Sequence, residues 1–115
     1  STPLYSSAAS DVYKRQGYWH DFGHIQRKHN LLILNHEQFL RRMSSHLIGG
    51  HVNDVKWPAR DHQVPLLGGV VPFERLLPFF PHGVPLVWEL SSRVSSEDIR
   101  AARKLWMEKF PQTLA

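Results

Sequence analysis

Short apolar segments alternate along this chain with longer segments in which apolar residues recur every three or four positions. The short segments predict β-strands, and the longer ones predict α-helices. Strands that alternate with helices are typical of βα units built around a parallel sheet. From Gly17 onward the pattern therefore predicts three βα units in a row.

The predicted elements have recognisable starts and stops. The strands are Tyr18 to Asp21, His46 to Val52 and Leu86 to Leu90. The helices begin near His24, after Asn35, at Pro72 (a short helix reaching Phe80) and after Ser95, and Pro111 ends the last one. Gln38 follows Asn35 by three residues, and Asp98 follows Ser95 by three, which is the spacing of a capped helix N-terminus.

In one long segment, from Asn53 to Val71, apolar residues do not recur at a regular spacing. It contains two prolines and a pair of adjacent glycines, so we predict a long loop there. Long loops inside compact domains are usually functional.

The first 16 residues differ in composition from the rest of the chain. They are small and polar without clear periodicity, and the string SDVYKRQ resembles translated sequencing-adapter read-through. We therefore interpret residues 1–16 as a non-native or disordered leader, and residues 17–115 as one domain.

Composition excludes several classes of protein. A chain of 115 residues buries one modest core. The net charge of +4 is small and dispersed, so no nucleic-acid partner is expected. Cysteine is absent, which excludes disulfides and thiolate metal sites. No apolar run approaches the roughly 20 residues of a membrane span, so we expect a soluble, cytoplasmic protein without a membrane partner.

A metal-capable side chain ends each predicted strand: Asp21, His51 and Glu89. The C-terminal ends of parallel strands in an α/β barrel converge on one face, so these three side chains should meet there. Two carboxylates and an imidazole suit a divalent Mn, Mg, Co or Zn ion. Strand alternation places Glu89 on the face of Val87, where a buried carboxylate would require a metal or another cation.

Each of these residues also has an ordinary structural interpretation. Asp21 is suited to capping the following helix, His51 to a hydrogen-bonded place in the core, and Glu89 to a solvated rim. The recurrence of such a residue at the end of every strand favours a common site.

Other polar residues lie near the same end of the predicted sheet. His24 follows Asp21 by three residues, and Asp54, Asp61 and His62 lie in the predicted loop, where they would contact substrate, bind a second metal or simply be solvated. Trp57 would stack on a sugar ring or hold the loop down. The remaining histidines are expected at the surface or the core edge: His20, His29, His36, His46 and His82.

The order of these pieces resembles a known family. The runs GYWHDFGHIQ, LIGGHVNDV, DHQVP and VPLVWELS are similar to the second half of xylose isomerase-like sugar phosphate isomerase/epimerase barrels, which are related in fold to the endonuclease IV group. The resemblance covers residues 17–111. It implies an α/β fold that is the C-terminal part, about three βα units, of a (β/α)8 TIM barrel.

The resemblance also implies an activity in carbohydrate metabolism. Asp21, His51 and Glu89 would bind a divalent metal, and Glu89 would also be catalytic, as an acid/base carboxylate. The metal would hold adjacent oxygens of a sugar or sugar phosphate and stabilise an enediolate during proton transfer. His24 would contact the substrate or a neighbouring metal. Trp57, Asp61 and His62, proposed above from their position in the loop, are the other candidate substrate-binding residues.

Two departures from the family pattern matter. The family's fourth ligand, a glutamate on an earlier strand, has no counterpart here, so the isolated fragment is expected to be inactive. Leu66-Leu67-Gly68-Gly69 stands where the family has a Pro-Gly-x-Gly run. A complete barrel needs roughly 250 residues, so a chain of 115 residues would hold less than half of one.

Two alternatives remain. An endonuclease IV-like metal-dependent phosphodiesterase would use an Asp-x-His in the loop, whereas Asp61 and His62 are adjacent here. A non-catalytic or truncated barrel relative would expose unpaired strand edges, and self-association would follow.

Overall fold

The computed structural model describes residues 17–113, a mixed α/β structure whose helices pack on one face of a small parallel sheet. The strands are β1 (Tyr18–Asp21), β2 (Leu47–Val52), β3 (Asp54–Lys56), β4 (Arg60–Gln63) and β5 (Leu86–Trp88). The α-helices are α1 (Phe22–Asn30), α2 (His36–Met43), α3 (Phe73–Leu76) and α4 (Ser96–Lys109), and short 3-10 helices cover Ser44–His46, Leu77–Phe79 and Pro111–Thr113. The proposed leader lies outside the described residues.

Three parallel strands form the main sheet, in the order β1-β2-β5. The predicted βα pattern and the parallel sheet are therefore confirmed. A bulge interrupts the first pair, because Tyr18 is opposite Leu47 while Trp19 is opposite Gly49, leaving Ile48 as the extra residue. Beyond the bulge, the register places Asp21 opposite His51.

The two faces of this sheet differ in burial. Tyr18, Leu47 and Val52 are buried beneath the helices. On the opposite face, Trp19 and Val87 are 38% and 48% exposed. Gly49 lies under the Trp19 ring, where a Cβ would collide with the indole. The uncovered face is thus apolar over most of its length and polar only at the C-terminal ends of the strands.

The helix caps predicted from sequence are confirmed. Asn35 Oδ1 accepts the Gln38 N–H at 2.9 Å, and Ser95 Oγ accepts the Asp98 N–H at 3.1 Å. The last helix ends at Lys109, ahead of Pro111, as expected. Such caps satisfy backbone groups within one turn, so they can be recognised from local sequence.

Other predicted boundaries were wrong. The first helix begins at Phe22, before His24, because Asp21 caps it directly. The helix predicted from Pro72 to Phe80 is one α-helical turn followed by a 3-10 turn that contains Pro78, whose missing N–H cannot continue an α-helix. The third strand stops at Trp88, so Glu89 follows it, and the second strand begins at Leu47.

The segment predicted as a long loop contains an antiparallel hairpin. In this hairpin β3 pairs with β4, with Asp54 opposite Gln63 and Lys56 opposite Arg60. Most of β4 is exposed, so its sequence carries no alternation of apolar and polar residues. The hairpin follows β2 after Asn53 and lies near the C-terminal end of the main sheet.

Aromatic side chains join the helices to the sheet. Phe22 packs on Phe73 with ring centroids 5.2 Å apart, and Phe73 packs on Trp106 at the same distance. Trp106 also contacts Trp88 of β5, at 5.7 Å. Burial of each large ring is worth about 1.5–3 kcal/mol, so this chain of contacts fixes α4 against the sheet. None of the described helices is both long and apolar enough to cross a bilayer.

Two histidines expected at the surface or core edge lie in the core, so that prediction was wrong for them. His20 and His36 are almost completely buried, and their Nε2 atoms are 2.8 Å apart. Gln26 Oε1 lies 2.7 Å from His36 Nδ1, and Gln26 Nε2 donates to Asn30. His36 Nδ1 must therefore donate to Gln26, and His20 Nε2 must donate to His36. The Tyr18 hydroxyl, 3.0 Å from His20 Nδ1, completes a network between two neutral imidazoles.

Acid should destabilise the fold through this network. Burial, and then the neighbouring His36, hold the pKa of His20 well below 6.5, while burial and then His29 lower the pKa of His36 to about 3. Between about pH 6.5 and 3 the unfolded chain therefore binds more protons than the folded chain. Stability is fully present above pH 6.5 and falls with decreasing pH, by up to about 1.4 kcal/mol per pH unit for each histidine.

Urea unfolding at pH 7.5, 6 and 5 measures this dependence. The variant H36L should show a shallower pH dependence between pH 6.5 and 5. The control H82Q changes an exposed histidine outside the network and should leave that dependence unchanged. Equal unfolding free energies at pH 7.5 and 5 in the wild-type chain would contradict the prediction.

Candidate metal centre

Asp21, His51 and Glu89 meet at the C-terminal end of the main sheet. Each offers one ligand atom, and these atoms all lie within 4.8 Å of one another. Asp21 and His51 are paired across β1 and β2, and the Glu89 N–H donates to the Val52 carbonyl at 3.1 Å. The sequence prediction that three strands bring these residues to a common rim is therefore confirmed.

The donor set suits a divalent cation. His51 Nδ1 lies 3.8 Å from Glu89 Oε1. Two carboxylates and one imidazole are compatible with Mn, Mg, Co or Zn. The three residues are partly open to solvent, and exposed acidic groups are common without a metal. The donor types are those that bind divalent ions, and the cluster is open to solvent.

The expected burial of Glu89 was wrong. Its side chain is 46% exposed, although it lies on the Val87 face as predicted. The strand ends at Trp88, so the Glu89 side chain extends past the rim of the sheet. Desolvation therefore does not force a cation onto Glu89, and the argument for a metal depends on the three-residue geometry.

Asp21 combines both of the roles that its position suggests. Its Oδ1 accepts the His24 N–H at 2.9 Å and so caps α1. A carboxylate has a second oxygen, which the cap does not use. Capping and metal binding are thus compatible at this residue.

Asp54 has a structural role. It is buried, so it is not the solvated loop residue that was one of its possible interpretations, and its carboxylate is occupied by backbone N–H groups. The residue is 1% exposed, and its Oδ1 accepts the N–H groups of Val55 at 2.8 Å and Val71 at 2.9 Å. Gly69 packs so closely that a Cβ there would collide with the carboxylate. Burial raises the pKa of Asp54, while hydrogen bonds from backbone N–H groups oppose that rise. Asp54 thus fixes the base of the hairpin.

Arg27 of α1 holds the outer part of the hairpin. It pairs with Asp61 at 2.7 Å, and its guanidinium lies 5.6 Å from the centre of the Trp57 ring. It also donates to the Pro58 carbonyl at 3.3 Å. Trp57 thus holds the loop down, which is one of the two roles predicted for it. Asp61 forms an ion pair with Arg27.

His24 and His62 both line a small cavity beside Asp21. The cavity, of about 50 Å³, is also lined by Gly23, Arg27, Asn53, Val55 and Asp61. A water molecule occupies about 30 Å³ in the liquid, so the cavity has room for a hydroxyl-sized group. His62 Nε2 is 3.5 Å from Glu89 Oε1, which joins the cavity to the three-residue cluster.

Asn53 was not identified from sequence, although it connects the hairpin to the site. It is 1% exposed, and its Oδ1 accepts the Gly23 N–H at 2.9 Å. Its Nδ2 has no hydrogen-bond partner among the described residues. The position directly after a buried strand and before Asp54 was the available signal, but the partner on α1 is 30 residues away in sequence.

Comparison with other proteins assigns no family to this site. No protein-family model, curated protein or solved structure matches the chain. The chemistry of the site is therefore inferred from its own side chains.

Replacement of Gly23 by alanine should destabilise the fold. A Cβ at this position would collide with Asn53 Oδ1 and break its hydrogen bond to the Gly23 N–H. We expect a loss of about 1–3 kcal/mol in the free energy of unfolding, measured with urea. In an exposed helix the same change would stabilise by up to about 1 kcal/mol.

A double-mutant cycle isolates this contact. In the background N53A the obstructing side chain is absent, so G23A should then be neutral or stabilising. The same loss in both backgrounds would show that the Asn53 contact is not its cause.

Proposed function

We propose that residues 17–113 are the C-terminal part, about three βα units, of a (β/α)8 barrel. Three features support this: parallel strands in the order β1-β2-β5, helices on one face only, and an uncovered apolar face. In a closed barrel the outer face of the sheet packs under helices and the inner face is filled by branched and aromatic side chains. Trp19, Ile48 and Val87 would then point into the barrel.

We propose that the rim is part of a divalent-metal site of the sugar, or sugar phosphate, isomerase/epimerase type. The observation that carries the proposal is the meeting of Asp21, His51 and Glu89 at the C-terminal ends of parallel strands. Active sites of α/β barrels lie at that end of the strands. Mn, Mg, Co and Zn all fit the donor set.

In this function Glu89 moves the proton. As one acid/base carboxylate, its exposed side chain would accept a proton from the carbon next to the substrate carbonyl, and the electron pair of that C–H bond would remain in the enediolate until the carbon is reprotonated. A bound divalent cation would polarise the adjacent substrate oxygens and stabilise the enediolate charge. His24, Asp61 and His62 would contact sugar hydroxyls, and Trp57 would cover the ring.

The variant D21N tests the metal site without removing the helix cap. Asparagine caps a helix about as well as aspartate, so the urea unfolding free energy should change by less than about 0.5 kcal/mol. The loss of a charged ligand should weaken Mn²⁺ binding, measured by isothermal titration calorimetry, at least about tenfold. Absence of Mn²⁺ and Zn²⁺ binding to the wild-type chain would refute the proposal.

A sugar hydroxamate tests the substrate class. Its two adjacent oxygens imitate an enediolate, so threonohydroxamate should bind the Mn-loaded chain more tightly than acetohydroxamate, which chelates metal but lacks sugar hydroxyls. The Mn-loaded variant H24Q should lose this preference. Equal affinity of the wild-type chain for the two hydroxamates would show that the rim does not recognise a sugar.

Self-association is a second candidate property, and the uncovered sheet face favours it. Trp19, Ile48 and Val87 are 38%, 54% and 48% exposed on that face. Contiguous apolar surface of this kind commonly mediates association. Light scattering should therefore show oligomers, and V87K should reduce their mass. The control M107K alters a side chain that is 45% exposed on α4 and should leave the mass of the oligomers unchanged. A monodisperse wild-type monomer would contradict the prediction.

A further inference from the structure

The side chain of Asn53 uses only part of its hydrogen-bonding capacity. Asn53 directly follows β2, two residues after His51, and it is buried. Its Oδ1 accepts the Gly23 N–H at 2.9 Å, whereas its Nδ2 has no hydrogen-bond partner among the described residues. An amide nitrogen carries two N–H groups and does not accept hydrogen bonds. Asn53 therefore presents unused donors from a buried position.

The contact with α1 determines which end of this amide remains unused. A rotation of the amide by half a turn would bring its NH2 group against the Gly23 N–H, so that two donors would face each other. Gly23 also permits the close approach, because a Cβ there would collide with Asn53 Oδ1. The helix thus takes the oxygen and leaves the nitrogen for another partner.

Asp54 shows how the other buried polar side chain at this end of β2 is satisfied. Its Oδ1 accepts two backbone N–H groups, from Val55 and Val71. Almost all buried polar groups in native proteins have partners of this kind, and an exception calls for a functional explanation or a bound molecule. Asn53 Nδ2 is such an exception among the described side chains.

The cavity beside Asp21 has room for the missing partner. Asn53 lines this cavity of about 50 Å³ together with Asp21 and His62. Asp21 belongs to the three-residue cluster, and His62 Nε2 is 3.5 Å from Glu89 Oε1. A molecule bound at the rim can therefore place one hydroxyl-sized group in the cavity.

The side chains around the cavity favour a hydroxyl over an anion. Arg27 also lines the cavity, but its guanidinium pairs with Asp61 at 2.7 Å. A hydroxyl oxygen can accept from Asn53 Nδ2 while its hydrogen is donated to a ring nitrogen of His24. The carboxylate of Asp21 would repel a phosphate or a carboxylate at the same place.

We propose that Asn53 is a specificity-determining residue whose Nδ2 donates to one hydroxyl oxygen of a polyhydroxylated ligand bound at the rim. The proposal rests on the sugar-type function proposed above and names the group that fixes one of the sugar hydroxyls. Because α1 and β2 hold the amide in place before the ligand arrives, little conformational freedom is lost on binding.

The variants N53D and N53A test this assignment by hydroxamate binding. Aspartate keeps an oxygen for the Gly23 N–H and replaces the donor by a second oxygen, whereas alanine removes both groups. Threonohydroxamate should bind each Mn-loaded variant at least about tenfold more weakly than the Mn-loaded wild-type chain. The affinities for Mn²⁺ and for acetohydroxamate, which has no sugar hydroxyl, should be unchanged.

Nuclear magnetic resonance of the wild-type chain reports on the amide itself and needs no variant. In the ¹⁵N-labelled, Zn-loaded chain, threonohydroxamate should move the Nδ2 proton resonances of Asn53 downfield, and acetohydroxamate should not. A residue that only supports the fold would give the same resonances with either compound.

The control A102G lowers stability far from the cavity in sequence and structure. Ala102 is buried on α4, and glycine weakens a helix, so the urea midpoint should fall while both hydroxamate affinities stay at their wild-type values. A loss of threonohydroxamate affinity in A102G equal to that in N53D would show that stability, and not the Asn53 amide, is responsible.

Two further outcomes separate this assignment from the proposed function. Unchanged threonohydroxamate affinity in both Asn53 variants, or unmoved Asn53 resonances in the wild-type chain, would overturn the assignment and leave the sugar site standing; the amide would then hold a water molecule only. Equal affinity of the wild-type chain for the two hydroxamates would instead refute the sugar-type function and this assignment with it.

Discussion

The parallel register of β1, β2 and β5 is the constraint on which the candidate site depends. It places Asp21 opposite His51 and, through the Glu89 N–H to Val52 carbonyl bond, brings Glu89 to the same rim. A slip of one residue would turn each side chain to the opposite face of the sheet. The bulge at Ile48 matters for the same reason. Leu47 and His51 are four residues apart, so strict alternation would place both on one face; the extra residue lets Leu47 stay in the core while His51 lies opposite Asp21 on the uncovered face.

The parts of the fold that sequence predicted are those decided by neighbouring residues. Asn35 and Ser95 were identified as caps because each satisfies a backbone N–H three residues later. The hairpin was missed because β4 is mostly exposed and short, so its sequence has no apolar alternation. Asp54 was misinterpreted because its partners, the Val71 N–H and Gly69, approach only when the segment has folded back on itself.

The histidines also show that contacts between residues distant in sequence could not be predicted. An imidazole is buried at low cost when both ring nitrogens find partners, and for His20 those partners are Tyr18 and His36. The second of these is 16 residues away in sequence, so the contact that completes the burial of His20 cannot be identified from its own segment. His51 and Glu89 were recognised because both lie at the ends of strands that sequence could identify. Sequence thus predicted those residues of the candidate site that lie at the ends of strands.

The position of His62 could not be predicted from sequence, because a hairpin held by long-range contacts determines it. Asp54 and Arg27 fix the two ends of that hairpin, one by backbone hydrogen bonds and the other by the pair with Asp61. The rim of the sheet carries Asp21, His51 and Glu89, and the hairpin adds His62, whose Nε2 lies 3.5 Å from Glu89 Oε1. The insertion between β2 and α3 therefore places side chains beside the rim that the strands of the parallel sheet do not carry.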